Sequence, residues 1–80
     1  MNDGARLDAR NVKRSLSIAG HSTSISIEEP FWRALKALAA EENISLATLV
    51  ARIDGERKEI GLSSALRLHV LRALQEKTAR

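Results

Sequence analysis

The spacing of apolar residues changes within residues 23–53, TSISIEEPFWRALKALAAEENISLATLVARI. Thr23, Ile25 and Ile27 alternate with Ser24 and Ser26, the two-residue period of a half-buried strand. After Pro30 the apolar positions become Phe31, Ala34, Leu35, Leu38 and Ala39, a helical period. The pattern predicts a first helix from near Glu29 to about Glu42. Pro30 suits its first turn, Glu28 and Glu29 favour the positive end of its dipole, and Asn43 suits its left-handed exit. A second helical set follows at Leu46, Leu49, Val50 and Ile53, with Ser45 as the expected N-cap and Gly55 as the expected C′ residue. GERKEIG reads as a loop. A third helix follows, capped by Ser63 or Ser64, with Leu62, Leu66, Val70 and Leu74 near one stripe.

Upstream, Leu16 and Ile18 alternate with Ser15 and Ser17, and Gly20-His21 interrupts before the alternation resumes. A two-residue turn at Gly20-His21 would set Leu16 opposite Ile25 and Ser17 opposite Ser24. Apolar then meets apolar and serine meets serine, so a hairpin is predicted. Two short strands joined by a loop are the alternative. Residues 1–12 lack periodicity and read as a disordered arm, 13–76 as the domain, and 77–80 as a tail.

A lone strand cannot satisfy its own backbone, so it needs a partner. Eighty residues allow one domain whose core is marginal for a monomer, which favours association. Phe31 and Trp32, the two aromatic residues, diverge by about 100° on a helix. One can face the core and the other a second surface; a wide apolar face within one subunit explains them as well. There is no cysteine, hence no disulfide framework. The apolar runs are far short of a membrane span, and MNDGARLDAR has no apolar signal core, so a cytoplasmic location is expected. Net charge is +3, with basic ends around a mildly acidic middle. That distribution suits a polyanion partner and an ordinary solvated surface almost equally.

Catalysis has little to stand on. His21 falls at a turn and His69 among helical leucines, with no further ligands or orienting acid implied by spacing. Glu28-Glu29 and Glu41-Glu42 are adjacent on helices, so their side chains diverge. No Gly-rich phosphate loop is present. Neither an enzyme nor a cofactor or metal is expected. Ser22, Ser24 and Ser26 project from one strand face. Serine can touch phosphates or base edges but discriminates bases poorly, and a plain solvent face is the simpler reading.

Residues 23–53 resemble the ribbon-helix-helix family of small bacterial DNA-binding proteins. The resemblance lies in the strand TSISI, the LKALA ending of the first helix, the turn EENIS and the capped SLATLV. The wider RSLSIAGHSTSISIEEPFW with LSSALRLHVL is similar to an uncharacterised bacterial subgroup of that family, over residues 13–74. The resemblance implies a mainly α fold with a short β-ribbon, formed as a homodimer in which two chains exchange the strand. Ile25, Ile27, Phe31, Trp32, Leu35, Leu49, Val50 and Ile53 would form the dimer interface. It implies double-stranded DNA as partner and a ribbon that enters the major groove. Ser22, Ser24 and Ser26 would then face bases. Ser45 and the Leu46 backbone would clamp a phosphate, and Lys13 and Arg14 would add phosphate contacts.

Three features depart from that family pattern: a reading strand without long polar side chains, a preceding strand at residues 14–19, and an appended third helix. Four strands at ~4.8 Å spacing would span ~14 Å between outer axes, whereas the major groove is about 12 Å wide. DNA binding then requires strand 14–19 to move aside, or a shallower contact. Two functions follow as expectations: a dimeric DNA-binding regulator, or a protein-interaction and dimerisation module of the same fold with a protein partner.

Overall fold

A computed structural model describes residues 10–79. Two strands, β1 (Asn11–Ile18) and β2 (His21–Glu28), form an antiparallel hairpin. Three helices follow: α1 (Glu29–Glu41), α2 (Leu46–Glu56) and α3 (Leu62–Thr78). Strand β1 begins inside the segment expected as an arm, and α3 runs into the expected tail. Residues 1–9, the rest of that arm, lie outside the described residues.

The hairpin turns at Ala19–Gly20, not at Gly20–His21. Ala19 and Gly20 have φ values of 51° and 84°. Positive φ at both central residues is the two-residue turn whose twist matches that of paired strands. A turn at Gly20–His21 would have needed positive φ only at Gly20, so Gly20 fits either turn, and the structure uses it as the second central residue. The register consequently differs by two residues. Every side chain keeps its expected face, but Leu16 meets Thr23 and Arg14 meets Ile25, while Ser15 meets Ser24 and Ser17 meets Ser22.

Helix α1 starts directly after β2, with Pro30 in its first turn. It ends as the Asn43 position suggested. Asn43 adopts φ 58°. The Asn43 N–H donates to the Ala40 carbonyl at 3.1 Å and the Ile44 N–H to the Ala39 carbonyl at 3.0 Å. Those two bonds satisfy carbonyls that a helix end otherwise leaves open. Two other boundaries differ from expectation. Helix α2 passes through Gly55, and the left-handed residue after it is Lys58 at φ 57°. Arg57 explains the extension: its Nε donates to the Asp54 carboxylate at 2.6 Å and its Nη1 to the Ile60 carbonyl at 2.8 Å, which closes the loop. Helix α3 has Gly61 at its N-cap, which has no side chain to cap with, and Ser63, inside the first turn, donates to the Ser26 carbonyl.

The core forms within one chain. Ile25 and Ile27 from β2, Trp32 and Leu35 from α1, Leu49, Val50 and Ile53 from α2, and Leu66 and Val70 from α3 are all buried. Phe31 is half-buried against this cluster. The residues expected at a dimer interface pack on one another within this chain, and β2 pairs with β1. Each fully buried Leu, Ile or Val side chain contributes about 1.5–3 kcal/mol.

Candidate nucleic-acid interface

Alternation divides the ribbon into two faces. Val12, Arg14, Leu16 and Ile18 of β1 and Thr23, Ile25 and Ile27 of β2 point to the helices and are half-buried or buried. Asn11, Lys13, Ser15, Ser17, Ser22, Ser24 and Ser26 are exposed on the other face. The register places Lys13 opposite Ser26 and makes two serine–serine pairs beside it. Three of the residues expected to face DNA on β2, and Lys13, thus share one surface. Ser15 and Ser17 complete it. Their alternation was visible in the sequence, but only strand pairing sets them beside Ser24 and Ser22.

Arg14 takes the other face, since neighbouring strand residues point apart. Its guanidinium forms an ion pair with Glu29, which also accepts from Arg33 Nε at 3.0 Å. The guanidinium carbon lies 4.9 Å from the Trp32 ring centroid, a cation–π arrangement. Lys13 and Arg14, expected together, are therefore separated: Lys13 meets solvent and Arg14 fastens β1 to α1.

The far end of β2 is fastened to α3. Arg67 grips the Glu28 carboxylate with Nε at 2.8 Å and Nη2 at 3.2 Å. Those hydrogen bonds hold the Glu28 carboxyl below the usual glutamate range. Arg67 also lies 6.0 Å from the Phe31 ring centroid. One turn earlier, Ser63 Oγ donates to the Ser26 carbonyl at 2.8 Å. These partners lie 37 and 39 residues apart, and no local pattern announces them.

Ser45 caps α2 as expected. Its Oγ accepts from the Thr48 N–H at 3.0 Å and donates to Thr48 Oγ1 at 2.8 Å. The N–H groups of Leu46 and Ala47 lie in the first turn, where no helical acceptor exists, and can receive an anion. Ser45 and Leu46 belong to the α1–α2 connection and not to the ribbon face. His21 is exposed at the start of β2. His69 is half-buried and lines an open groove of about 450 Å³ with Lys58, Leu68 and Arg72. Among the described residues no three His, Cys, Asp or Glu side chains are disposed to hold a metal, and no helix is long and apolar enough to cross a membrane.

A two-stranded antiparallel ribbon followed by packed helices defines a ribbon-helix-helix protein. The chain belongs to the ribbon-helix-helix domain family, whose model matches residues 11–74. That fold is one of DNA-binding regulators in general. Among solved structures, the chain is similar to an uncharacterized protein from Bordetella pertussis Tohama I, with 25% identity and a TM-score of 0.77. The similarity covers 92% of this chain and 63% of that one, so this chain spans less than two thirds of that protein's length. A search of curated proteins finds no match.

Proposed function

We propose that the protein is a dimeric DNA-binding protein, a transcriptional regulator that works in the cytoplasm and has no catalytic role. The observation that supports this reading is the outer ribbon face. It is polar and exposed throughout, with Lys13 as its cation and Glu28 at its end neutralised by Arg67. Lys13 supplies phosphate attraction, the serines make short polar contacts, and the first-turn N–H groups of Leu46 and Ala47 receive a backbone phosphate. Serine carries little base discrimination, so affinity exceeds sequence preference. If β1 stays in the ribbon of a dimer, the sheet is wider than the major groove and lies across it as a shallow contact.

Gel shifts over a salt series test this. Lys13→Ala should weaken duplex binding and flatten the salt dependence by about one phosphate equivalent for each lysine removed. The double variant Ser24→Ala/Ser26→Ala should weaken it less. Absence of any shifted duplex at low salt rejects the reading. The second reading, a protein-interaction module, is favoured by the same serine face and by the anchoring of β2 to α3. It predicts unshifted duplex and a defined protein partner retained through purification.

A further inference from the structure

We infer that the groove between the end of α2, the loop after it and α3 is a docking site for an acidic, leucine-bearing helical segment of a partner protein. No residue of the ribbon lines this groove, so the site is separate from the face offered to DNA.

The floor of the groove is apolar and its rim is basic. On α3, Ala65, Leu68, His69 and Arg72 follow the i, i+3, i+4, i+7 spacing and share one face. Ile53 and Ala65 are buried beneath, whereas Ile60 and Leu68 are 42% and 41% exposed at the sides. The short side chain of Ala65 leaves room above the floor. Such a surface gives the apolar side chains of a partner a place to shed water. Lys58 and Arg72 stand beside it.

Charge sets the sign of the partner. Of the eight lysine and arginine side chains between Glu29 and Thr78, Arg33, Arg52, Arg57, Arg67 and Lys77 are ion-paired. Lys36, Lys58 and Arg72 have no acidic partner among the described residues, and the last two both line the groove. Glu56 is the one acidic side chain lining it among the described residues. The rim is also formed in advance of any partner. Arg57 closes the loop through the Asp54 carboxylate and the Ile60 carbonyl. Lys58 holds φ 57°, where glycine would be unstrained, so its charge is kept at the rim against a backbone preference.

The length of the depression favours a polypeptide segment. His69 and Arg72 also border a second recess of about 380 Å³ that continues along α3 to Glu76 and Lys77. From Ala65 to Glu76 the helix rises about 16 Å, or roughly three turns of a partner helix laid beside it. Duplex phosphates would meet the two cations but leave Ile60 and Leu68 uncovered. A second copy of this chain is poorly suited, because Glu28, Glu29, Glu41, Glu42 and Asp54 are already tied to its own arginine and lysine side chains.

Fluorescence anisotropy on the full chain tests the inference. The probe is a labelled peptide of about twelve residues with leucine on one helical face and glutamate on the other. It should bind saturably, and the same peptide with lysine in place of glutamate should not. Lys58→Gly/Arg72→Gln should weaken binding about fivefold. Lys36→Gln, which removes the unpaired charge outside the groove, should leave affinity unchanged. Leu68→Ala should weaken binding by about the same factor. Leu71→Ala, at a leucine of similar exposure outside the groove, should not. Circular dichroism checks that each variant folds, and glycine at position 58 suits the positive φ. Absence of binding at low salt, equal binding of the two peptides, or equal losses from the groove variants and their controls would overturn the inference. A fall in light-scattering mass with Lys58→Gly/Arg72→Gln would overturn it too, by giving the groove to a second copy. Peptide binding without duplex binding defeats the proposed function alone. A shifted duplex with no bound peptide defeats this inference alone.

Discussion

Strands β1 and β2 carry the same alternation of apolar residue and serine, yet the protein holds them differently. The inward side chains Ile25 and Ile27 of β2 are sealed under helices, and its far end is tied to α3 by Ser63 and Arg67. On β1 Ile18 is buried beside the turn, but Val12, Arg14 and Leu16 are half-covered, and Arg14 supplies its ion pair to the helices through Glu29. An identical periodic pattern thus yields a strand covered more deeply in one case and less deeply in the other. Alternation specifies which face of a strand is apolar, whereas the helices beneath decide how completely that face is covered.

The largest test of this contrast is a pair of truncations read by urea denaturation. Ile27→Ala should cost about 2–5 kcal/mol, because it empties a sealed site. Val12→Ala should cost about 1 kcal/mol, since its side chain is already partly solvated. Equal losses would abolish the distinction between the strands. Next in size is Arg14→Met, which removes the ion pair and the Trp32 contact and should cost about 1 kcal/mol. A loss as large as that of Ile27→Ala would make β1 as integral as β2. Ala19→Asn should act in the opposite direction and stabilise the chain by less than about 1 kcal/mol, because Asn-Gly suits a turn with two positive φ values. A lower melting temperature would contradict the Ala19–Gly20 turn.

The smallest effect should appear in acid. Glu28 has its carboxyl pKa lowered by the hydrogen bonds from Arg67. The stabilisation it supplies is present above the ordinary glutamate pKa and lost as pH falls through its depressed folded-state value. Glu28→Gln should therefore melt below the parent protein at neutral pH, and the gap should close toward strongly acidic pH. A gap that widens on acidification would show that the β2–α3 tie does not depend on carboxylate charge.

Local signals explain which features were legible from residues alone. The left-handed exit at Asn43, the Ser45 cap and the change of period after Pro30 each depend on a few adjacent residues. They appear where the pattern places them. The turn was misplaced because Gly20 fits either of two adjacent turns, and only positive φ at Ala19 distinguishes them. Ser63 looked like a helix cap because hydroxyls near a helix start usually cap it. Its actual acceptor is the Ser26 carbonyl on a distant strand. Within the candidate site, the serine rows and Lys13 were readable from alternation, but the separation of Lys13 from Arg14 followed only once the strand and its faces were assigned.

The amino-acid pattern by itself determined one strand–helix–helix unit, a preceding strand with a matching serine row, and an apolar third helix. These properties arise from periods and caps that act over a few residues. Tertiary structure alone decided which apolar residues of the strands and the three helices meet in the core and that Arg14 binds inward. It also decided that α3 is tied to β2 through Ser63 and Arg67. Those outcomes rest on contacts between residues tens of positions apart, whose geometry exists only after the helices have packed on the ribbon.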